Sequence, residues 1–240
     1  MPDRFRSHGG TGSSFDARIV GSLTVKDPGA IGFAKTVKQK EFQRSYVVYM
    51  EKIELFRQFK REYVTSKTPV LIDIGPAAYL AFRGQGEPGG EQFQQAIGAL
   101  YGVAWTIKMT RKFGGDQDFK VCPLEGLYWE KCDWQMLIRV PDFVAKAEIK
   151  KAAAVLVERG KGEAARQVEL VNLKEGRCAQ VLQLGPYSTA PLTIHTLQAF
   201  AAEKGYEIAA NCHEIYLNDP RRVPPERLKT IIRISLRKMK

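Results

Sequence analysis

The chain has 240 residues, of which 44% are hydrophobic, and a formal net charge of +11. This length and apolar content suffice for a buried core in one domain or two small ones. No apolar run approaches the roughly 20 residues that span a bilayer, and residues 1–14 lack the apolar stretch of a secretory signal, so we expect a soluble, cytoplasmic protein.

The positive charge is concentrated in two segments. Residues 35–67 contain nine Lys/Arg and four acids, residues 219–240 contain eight Lys/Arg and two acids, and the remainder is neutral. No helix-turn-helix or base-stacking motif accompanies this charge. The pattern therefore predicts a solvated basic helix and a basic C-terminal tail, and it disfavours a nucleic-acid partner.

Metal and cofactor motifs are absent from the sequence. The four cysteines and three histidines show no C-x-x-C or other metal-ligand spacing, which disfavours a zinc site and a disulfide framework. The glycine cluster at residues 84–90 lacks the pattern of a phosphate-binding loop. Cys212 and His213 are adjacent in a predicted strand, so their side chains point to opposite faces and make a poor nucleophilic pair. We expect no metal and no cofactor.

The chain begins with a segment, residues 1–49, that is basic and rich in Gly and Ser, and we expect a poorly ordered extension there. The apolar spacing of Ile53, Phe56, Phe59 and Tyr63 then predicts one amphipathic helix over residues 50–63. We expect this helix and the elements after it to form a single domain over residues 50–240.

The first half of this domain, residues 68–141, contains strand, helix, strand, strand. The strand at residues 70–74 is closed by Gly75-Pro76 and continues at 78–82. The later elements are a helix at 91–111, a strand that contains Glu125, and a hairpin partner at 134–140. A connecting helix at 142–159 comes next, with Asp142 as a plausible N-cap.

The second half, residues 166–240, repeats the order of the first. Its elements are a strand at 179–184, a helix at 191–204, a strand that contains Glu214 and a closing strand at 231–236. Such a plan buries a helix on one face of a small antiparallel sheet. We therefore predict an α+β fold of two duplicated βαββ units.

Each of the two corresponding strands carries one acid inside an apolar run, Glu125 in L-E-G-L-Y-W and Glu214 in H-E-I-Y-L-N-D. A carboxylate in such a place costs several kcal/mol of desolvation unless a partner or ligand satisfies it. Because residues two apart in a strand share a face, Trp129 lies on the side of Glu125, and Tyr216 on the side of Glu214. Two acids in matching positions suggest one shared cavity.

A structural role is the alternative for these side chains. Arg139, Arg233 or a backbone amide would satisfy a half-buried acid. Each aromatic ring on its own is also compatible with ordinary core packing.

The motifs P-L-E-G-L-Y-W at residues 123–129 and H-E-I-Y-L-N-D-P-R-R at residues 213–222, with Q-Q-A-I-G-A-L-Y-G-V-A at 94–104, resemble the GyrI-like small-molecule-binding family. The resemblance covers about residues 50–240, and the family is related to effector-binding domains of multidrug-sensing transcription activators. It implies a pseudo-twofold pair of βαββ units, with helices on one face and a central ligand cleft.

The resemblance also implies the chemistry of the site. In ligand-sensing relatives the pocket acid corresponds to Glu214, which would pair with a planar aromatic cation. A hydrolytic branch of the family adds water to the cyclopropane of DNA-alkylating compounds, which would be detoxification by a bacterial enzyme. The matching catalytic candidates are Glu125, Glu214 and Tyr216, with Tyr216 donating to the carbonyl of the substrate. The candidates for ligand contact are Trp129, Tyr128, Tyr101 and Trp105.

Three functions remain open from the sequence. The protein is a stand-alone binder of a small aromatic molecule, a hydrolase of cyclopropane-type electrophiles, or a protein-interaction inhibitor of a DNA-processing enzyme that uses the basic C-terminal tail. The sequence indicates neither the ligand nor the oligomeric state.

Overall fold

The computed structural model describes residues 51–129 and 133–239, so the predicted extension at residues 1–49 lies outside the described residues. Two one-turn helices, Leu55–Gln58 (α1) and Lys60–Tyr63 (α2), come first. The single helix predicted for residues 50–63 is wrong. The backbone of Phe59, with φ −101° and ψ 42°, leaves the helical region and separates the two turns.

Six strands form a closed barrel in the order β1-β3-β2-β5-β6-β4, and all neighbours are antiparallel. The strands are Val70–Gln85 (β1), Leu124–Tyr128 (β2), Asp133–Arg139 (β3), Glu169–Leu184 (β4), Tyr206–Tyr216 (β5) and Lys229–Lys238 (β6). The α+β class and the antiparallel pairing are confirmed. The strands of both halves join one barrel.

Three longer helices cover the outside of the barrel: Glu91–Gly114 (α3), Lys146–Glu158 (α4) and Ala190–Glu203 (α5). Helix α3 packs on β1 and β3, α4 packs on α3, and α5 packs on β4, β5 and β6. The order β1-α3-β2-β3 is followed by β4-α5-β5-β6. A pseudo-twofold relation between these two halves stays a prediction.

Strand β1 runs without interruption through Gly75-Pro76, where the sequence predicted its closure. Pro76 is paired with Lys174 of β4, whereas β3 pairs with β1 only from Tyr79 onward. The missing N–H of Pro76 therefore removes no bond between β1 and β3, which is the condition under which a strand accepts proline.

The predicted N-cap of α4, Asp142, is also wrong. The helix begins at Lys146, and the Glu148 carboxylate accepts a hydrogen bond of 2.9 Å from the backbone N–H of Ala145. The same carboxylate binds the guanidinium of Arg111 at 2.7 and 3.1 Å, which ties α4 to α3. The side chain of Glu148, the third residue of the helix, thus accepts a hydrogen bond from the N–H of Ala145, the residue just before the helix.

The basic segment at residues 219–240 contains β6, residues 229–238, so the expectation of a basic tail is wrong for that part of the segment. Arg233, at its centre, is 1% exposed. Within residues 51–129 and 133–239, no helix is both long and apolar enough to cross a membrane.

Candidate functional site

The two strand acids lie on opposite faces of the barrel wall. Glu125 is paired with Ile215 across the β2–β5 ladder, and the adjacent pair is Gly126 with Glu214. Paired residues of antiparallel strands point to the same side, whereas neighbours along a strand alternate. Glu125 therefore points into the barrel and Glu214 points toward the helices. The expectation that both acids share one cavity is wrong.

Inside the barrel, Glu125 is fully buried and has two polar neighbours. The Tyr63 hydroxyl donates a hydrogen bond of 2.7 Å to its Oε1. His213 Nε2 lies 3.0 Å from its Oε2, and this contact is an ion pair rather than an aligned hydrogen bond, since geometry gives neither atom a hydrogen-bond partner. Protein groups thus contact both oxygens of Glu125, although they are not the arginines that the sequence suggested.

A chain of alternating charges continues from this acid. On the other side of the ring, His213 Nδ1 donates to Glu175 Oε1 at 3.0 Å, and Arg233 donates to Glu175 Oε2 at 2.8 Å. With a carboxylate at each ring nitrogen, His213 is expected to be an imidazolium. Burial alone would lower the pKa of His213, but the charges of Glu175 and Glu125 raise it to about 9.

Glu175 shows the reverse balance. Burial would raise the pKa of its carboxyl, but His213 and Arg233 lower it to about 2. The β1–β4 pairing skips Gly75 and Glu175, which lie opposite each other, and the register is the same on both sides of them. Gly176 has φ of 69°, a conformation that glycine adopts readily.

On the outer face, Glu214 forms a cluster with three tyrosines. The Tyr216 hydroxyl donates to Glu214 Oε2 at 3.0 Å, and the hydroxyls of Tyr128 and Tyr216 share a short hydrogen bond of 2.5 Å. The ring of Tyr187 meets the ring of Tyr216 edge to face, with centroids 5.4 Å apart. We call Glu214, Tyr216, Tyr128 and Tyr187 the acid–tyrosine cluster.

The electrostatics of this cluster favour a neutral or ligand-paired acid. Burial raises the pKa of Glu214, and the hydrogen bond from Tyr216 and the charge of His213 offset only part of this effect. Burial also raises the pKa of Tyr216 well above its usual value, and Glu214 adds to the increase. None of the described residues donates a hydrogen bond to Glu214 Oε1.

Gly126 explains how Tyr128 reaches the cluster. A Cβ atom added at Gly126 would lie 3.0 to 3.2 Å from the Tyr128 ring and hydroxyl. The ring thus lies back over Gly126, which is the residue directly opposite Glu214. The E-G-L-Y spacing of the sequence is therefore a packing requirement, since a side chain at residue 126 would displace the ring.

The remaining predicted ligand contacts, Tyr101, Trp129 and Trp105, lie in different parts of the structure. Tyr101 of α3 packs in the same apolar cluster as Tyr128 and Tyr216. Burial is the main cause that raises the pKa of Tyr101, and Asp219 and Arg221 lie close enough to affect it as well. Trp129 lies instead on the inner face, against Leu127 and Tyr79. Trp105 is 49% exposed on α3. The structure therefore brings Tyr128 and Tyr216 to Glu214, but neither tryptophan.

Sequence reasoning missed the inner partners, His213, Glu175 and Arg233, as a group. Arg233 was considered only as a partner of the acids, and Tyr63 only as part of an apolar stripe. The one available signal was a polar side chain within each of two predicted strands, His213 in one and Arg233 in the other. The structure pairs these two residues directly. Glu175 gave no signal, because K-E-G has the composition of a turn.

Other parts of the surface offer less chemistry. An open depression of about 830 Å³ is lined by residues of α1, α2, β1 and β4, but its Asp73 and Arg177 are already paired at 2.6 Å. In the described part of the chain, no three His, Cys, Asp or Glu side chains are grouped to hold a metal ion. The acid–tyrosine cluster is the stronger candidate.

Comparisons with known proteins support a small-molecule-binding domain. The GyrI-like small molecule binding domain family matches residues 67–237. No curated protein matches the chain.

Two crystal structures from Listeria innocua resemble the chain over their full length. One, described as a hydrolase, is 33% identical with a TM-score of 0.72, and the other, described as an uncharacterized conserved protein, is 32% identical with a TM-score of 0.73. Each match covers 78% of this chain and 100% of the other. The EcmrR C-terminal domain is a distant match, 14% identical over 72% of this chain and 98% of that domain, with a TM-score of 0.49.

Proposed function

Because the chain belongs to the GyrI-like small-molecule-binding family, we propose that it binds a planar aromatic cation at the acid–tyrosine cluster. The observation that carries this proposal is the state of Glu214, whose Oε2 is held by Tyr216 while its Oε1 accepts no hydrogen bond from the described residues. A half-buried acid with one oriented and one available oxygen is a receptor for positive charge.

The tyrosines supply the other half of the recognition. Tyr216, Tyr128 and Tyr187 present ring surface around the acid, and ring faces attract cations as well as flat apolar molecules. A bound cation also favours the ionised form of Glu214, whose pKa burial raises. Charge and shape thus select the same class of ligand.

Ethidium, a planar aromatic cation, is a suitable probe of binding. We expect it to raise the melting temperature, and Glu214→Gln to weaken its binding about thirtyfold, which corresponds to about 2 kcal/mol for a charge-assisted contact. Fluorescence titration measures the affinity directly. The matched control is Glu207→Gln, which removes an exposed acid on the same strand that is paired with Arg237. Equal affinities in the two variants would contradict the proposal.

Hydrolysis of a cyclopropane-type electrophile is the second candidate, and the hydrolase description of the Listeria protein favours it. Glu214 Oε1 would accept a proton from water while the water oxygen bonds to a ring carbon. The breaking C–C bond would pass its electron pair to the conjugated carbonyl, and the proton on Glu214 would return to the resulting phenolate. The Tyr216 proton is held by Glu214, so we assign Tyr216 to orienting the base.

Incubation with a cyclopropanoid alkylator tests this second function. A hydrated product should form faster than in buffer, and Glu214→Gln should reduce the rate by about 10² to 10⁴, the usual contribution of a positioned base. Glu125→Gln, tested at a temperature where that variant is folded, should keep most of the rate, because its carboxylate is on the other face of the sheet. Formation no faster than the buffer blank would remove the enzymatic function.

Inhibition of a DNA-processing enzyme stays a prediction that no specific contact supports. Residues 229–238 of the basic segment on which it depended form a barrel strand.

A further inference from the structure

His213 is adjacent to Glu214 in sequence and lies directly behind it in the barrel wall. The side chain of His213 is buried on the inner face, and Glu214 occupies the outer face of the same strand. Only the thickness of β5 separates the imidazole from the proposed ligand site. Nothing in the proposed binding contacts uses this histidine.

The position of His213 is fixed from three strands. Glu125 of β2 and Glu175 of β4 each lie 3.0 Å from one ring nitrogen, and Arg233 of β6 is its ladder partner. Rotation of the ring would break at least one of these contacts. The ring is therefore an anchor for β5 beside Glu214.

Such an anchor matters because β5 is irregular just before the site. Its register against β6 shifts between Ile208 and Cys212, and regular pairing resumes at Cys212. An irregular strand is free to twist unless other contacts set its orientation. The buried contacts of His213 provide this restraint at the first residues after the irregularity.

His213 and Glu214 have different charged groups around them on the inner and outer faces of β5. On the inner face, His213 is surrounded by Glu125 and Glu175, with Arg233 beyond Glu175, Tyr63 from α2 and Tyr79 from β1. On the outer face, the titratable groups around Glu214 among the described residues are neutral near pH 7: Tyr216, Tyr128, Cys212 and Tyr187. Among the described residues, His213 is the cation whose charge lowers the pKa of the Glu214 carboxyl.

We propose that His213 is a positioning residue for the ligand site, where its buried imidazolium fixes β5 and holds a positive charge behind the Glu214 carboxylate. The inference rests on the proposed function for the importance of Glu214. Its consequence is that the pKa of the Glu214 carboxyl is lower than burial alone would make it, which favours the ionised form that attracts a cation. The inner charges therefore set the pH range in which the outer site works.

The first test uses the unaltered protein. The ¹⁵N chemical shifts of the His213 ring should show both nitrogens protonated at pH 7. A neutral ring at pH 7 overturns the proposal, and this measurement needs no variant that folds.

The second test titrates the Glu214 carboxyl by ¹³C NMR in the ligand-free protein. His213→Gln should raise its midpoint by about one pH unit, the size of a screened charge interaction across a strand. Tyr63→Phe is the matched control, since it removes a hydrogen bond from the same network without removing a charge. An unmoved midpoint in His213→Gln, or an equal shift in Tyr63→Phe, overturns the proposal.

Ethidium affinity measured against pH connects the two proposals. The pH at which binding reaches half its maximum should rise in His213→Gln by the same amount as the Glu214 midpoint. If His213→Gln moves the Glu214 midpoint but ethidium binding is insensitive to Glu214→Gln, the proposed function fails and the positioning of Glu214 stands.

Discussion

Glu125 and Glu214 are chemically identical residues with opposite surroundings. Glu125 contacts a tyrosine hydroxyl and an imidazolium, and it is completely enclosed. Glu214 contacts a tyrosine hydroxyl on one oxygen, and burial raises the pKa of its carboxyl. The first acid therefore contributes to folding, whereas the second is held in a less favourable state that a ligand relieves.

This contrast gives a prediction for stability. Glu125→Gln should lower the free energy of unfolding by about 3 kcal/mol, since it leaves His213 with one carboxylate instead of two. Glu214→Gln should change it by less than about 1 kcal/mol, because a half-buried charge is replaced by a neutral group of similar shape. Urea denaturation measures both values at pH 7, with Glu207→Gln as the reference. Equal losses at residues 125 and 214 would show that the two acids have the same role.

The sequence was sufficient to find both acids but not to relate them. Alternation within each strand correctly grouped Glu125 with Trp129 and Glu214 with Tyr216. Whether the two groups share a face depends on the register between β2 and β5, where Gly126 rather than Glu125 is opposite Glu214. A shift of one residue would reverse that result, and no local pattern encodes the register of strands that are so far apart in the chain.

At the scale of elements, the segment from Ile53 to Ser66 acts as a strap across the barrel. Within it, Glu62 binds Arg139 through its carboxylate at 2.6 Å and Arg233 through its carbonyl oxygen at 2.7 Å, and Tyr63 binds Glu125. The ends of the strap are joined to the core by backbone hydrogen bonds, from Ile53 to Asp118 and from Leu182 to Ser66. The strap thus supplies partners to three buried charged side chains.

The strap lies before the segment that the family matches, residues 67–237, and this gives a second prediction. A chain that begins at Lys67 should lose cooperative thermal unfolding, because loss of one buried partner alone costs about 3 to 5 kcal/mol. The matched control begins at Glu51 and retains the strap. Calorimetry compares the two chains. Similar melting temperatures would show that the barrel charges do not need the strap.

Element prediction from the sequence succeeded where apolar periodicity was long. The α3 and α5 helices and the β2–β3 hairpin were found close to their observed bounds. Prediction failed at Phe59, where an amphipathic stripe continues across a break in the helix, and at Gly75-Pro76, where turn residues lie inside a strand. Both places have a tertiary neighbour that the local sequence does not reveal. The Arg139 guanidinium lies 4.0 Å from the centre of the Phe59 ring, and β4 pairs with β1 on both sides of Gly75-Pro76.

For the whole molecule, the buried charges predict how stability depends on pH. The folded pKa of His213, about 9, exceeds the unfolded value of about 6.5. Its contribution is fully present below about pH 6.5 and is lost as the pH rises through 9, a loss on the order of 3 kcal/mol. The folded pKa of Glu175, about 2, is below its unfolded value, so its contribution is lost as the pH falls from about 4.5 toward 2.

Chemical denaturation between pH 6 and pH 10 tests the alkaline side of this prediction. The free energy of unfolding should decrease across the interval in the unaltered protein, and the decrease should be much smaller in His213→Gln. The same slope in both proteins would assign the alkaline loss to another group.

The closed barrel also limits how other proteins can approach this one. Each of the six described strands has a neighbour on both sides over part of its length, so the sheet offers open edges only where one strand extends beyond its neighbour, as β1 does before Tyr79 on the side of β3. Recognition by strand addition depends on such an edge, as does the growth of sheet aggregates. Outside these short overhangs, a protein partner would have to bind side chains on the helices and loops, where surface substitutions could block it without disturbing the barrel.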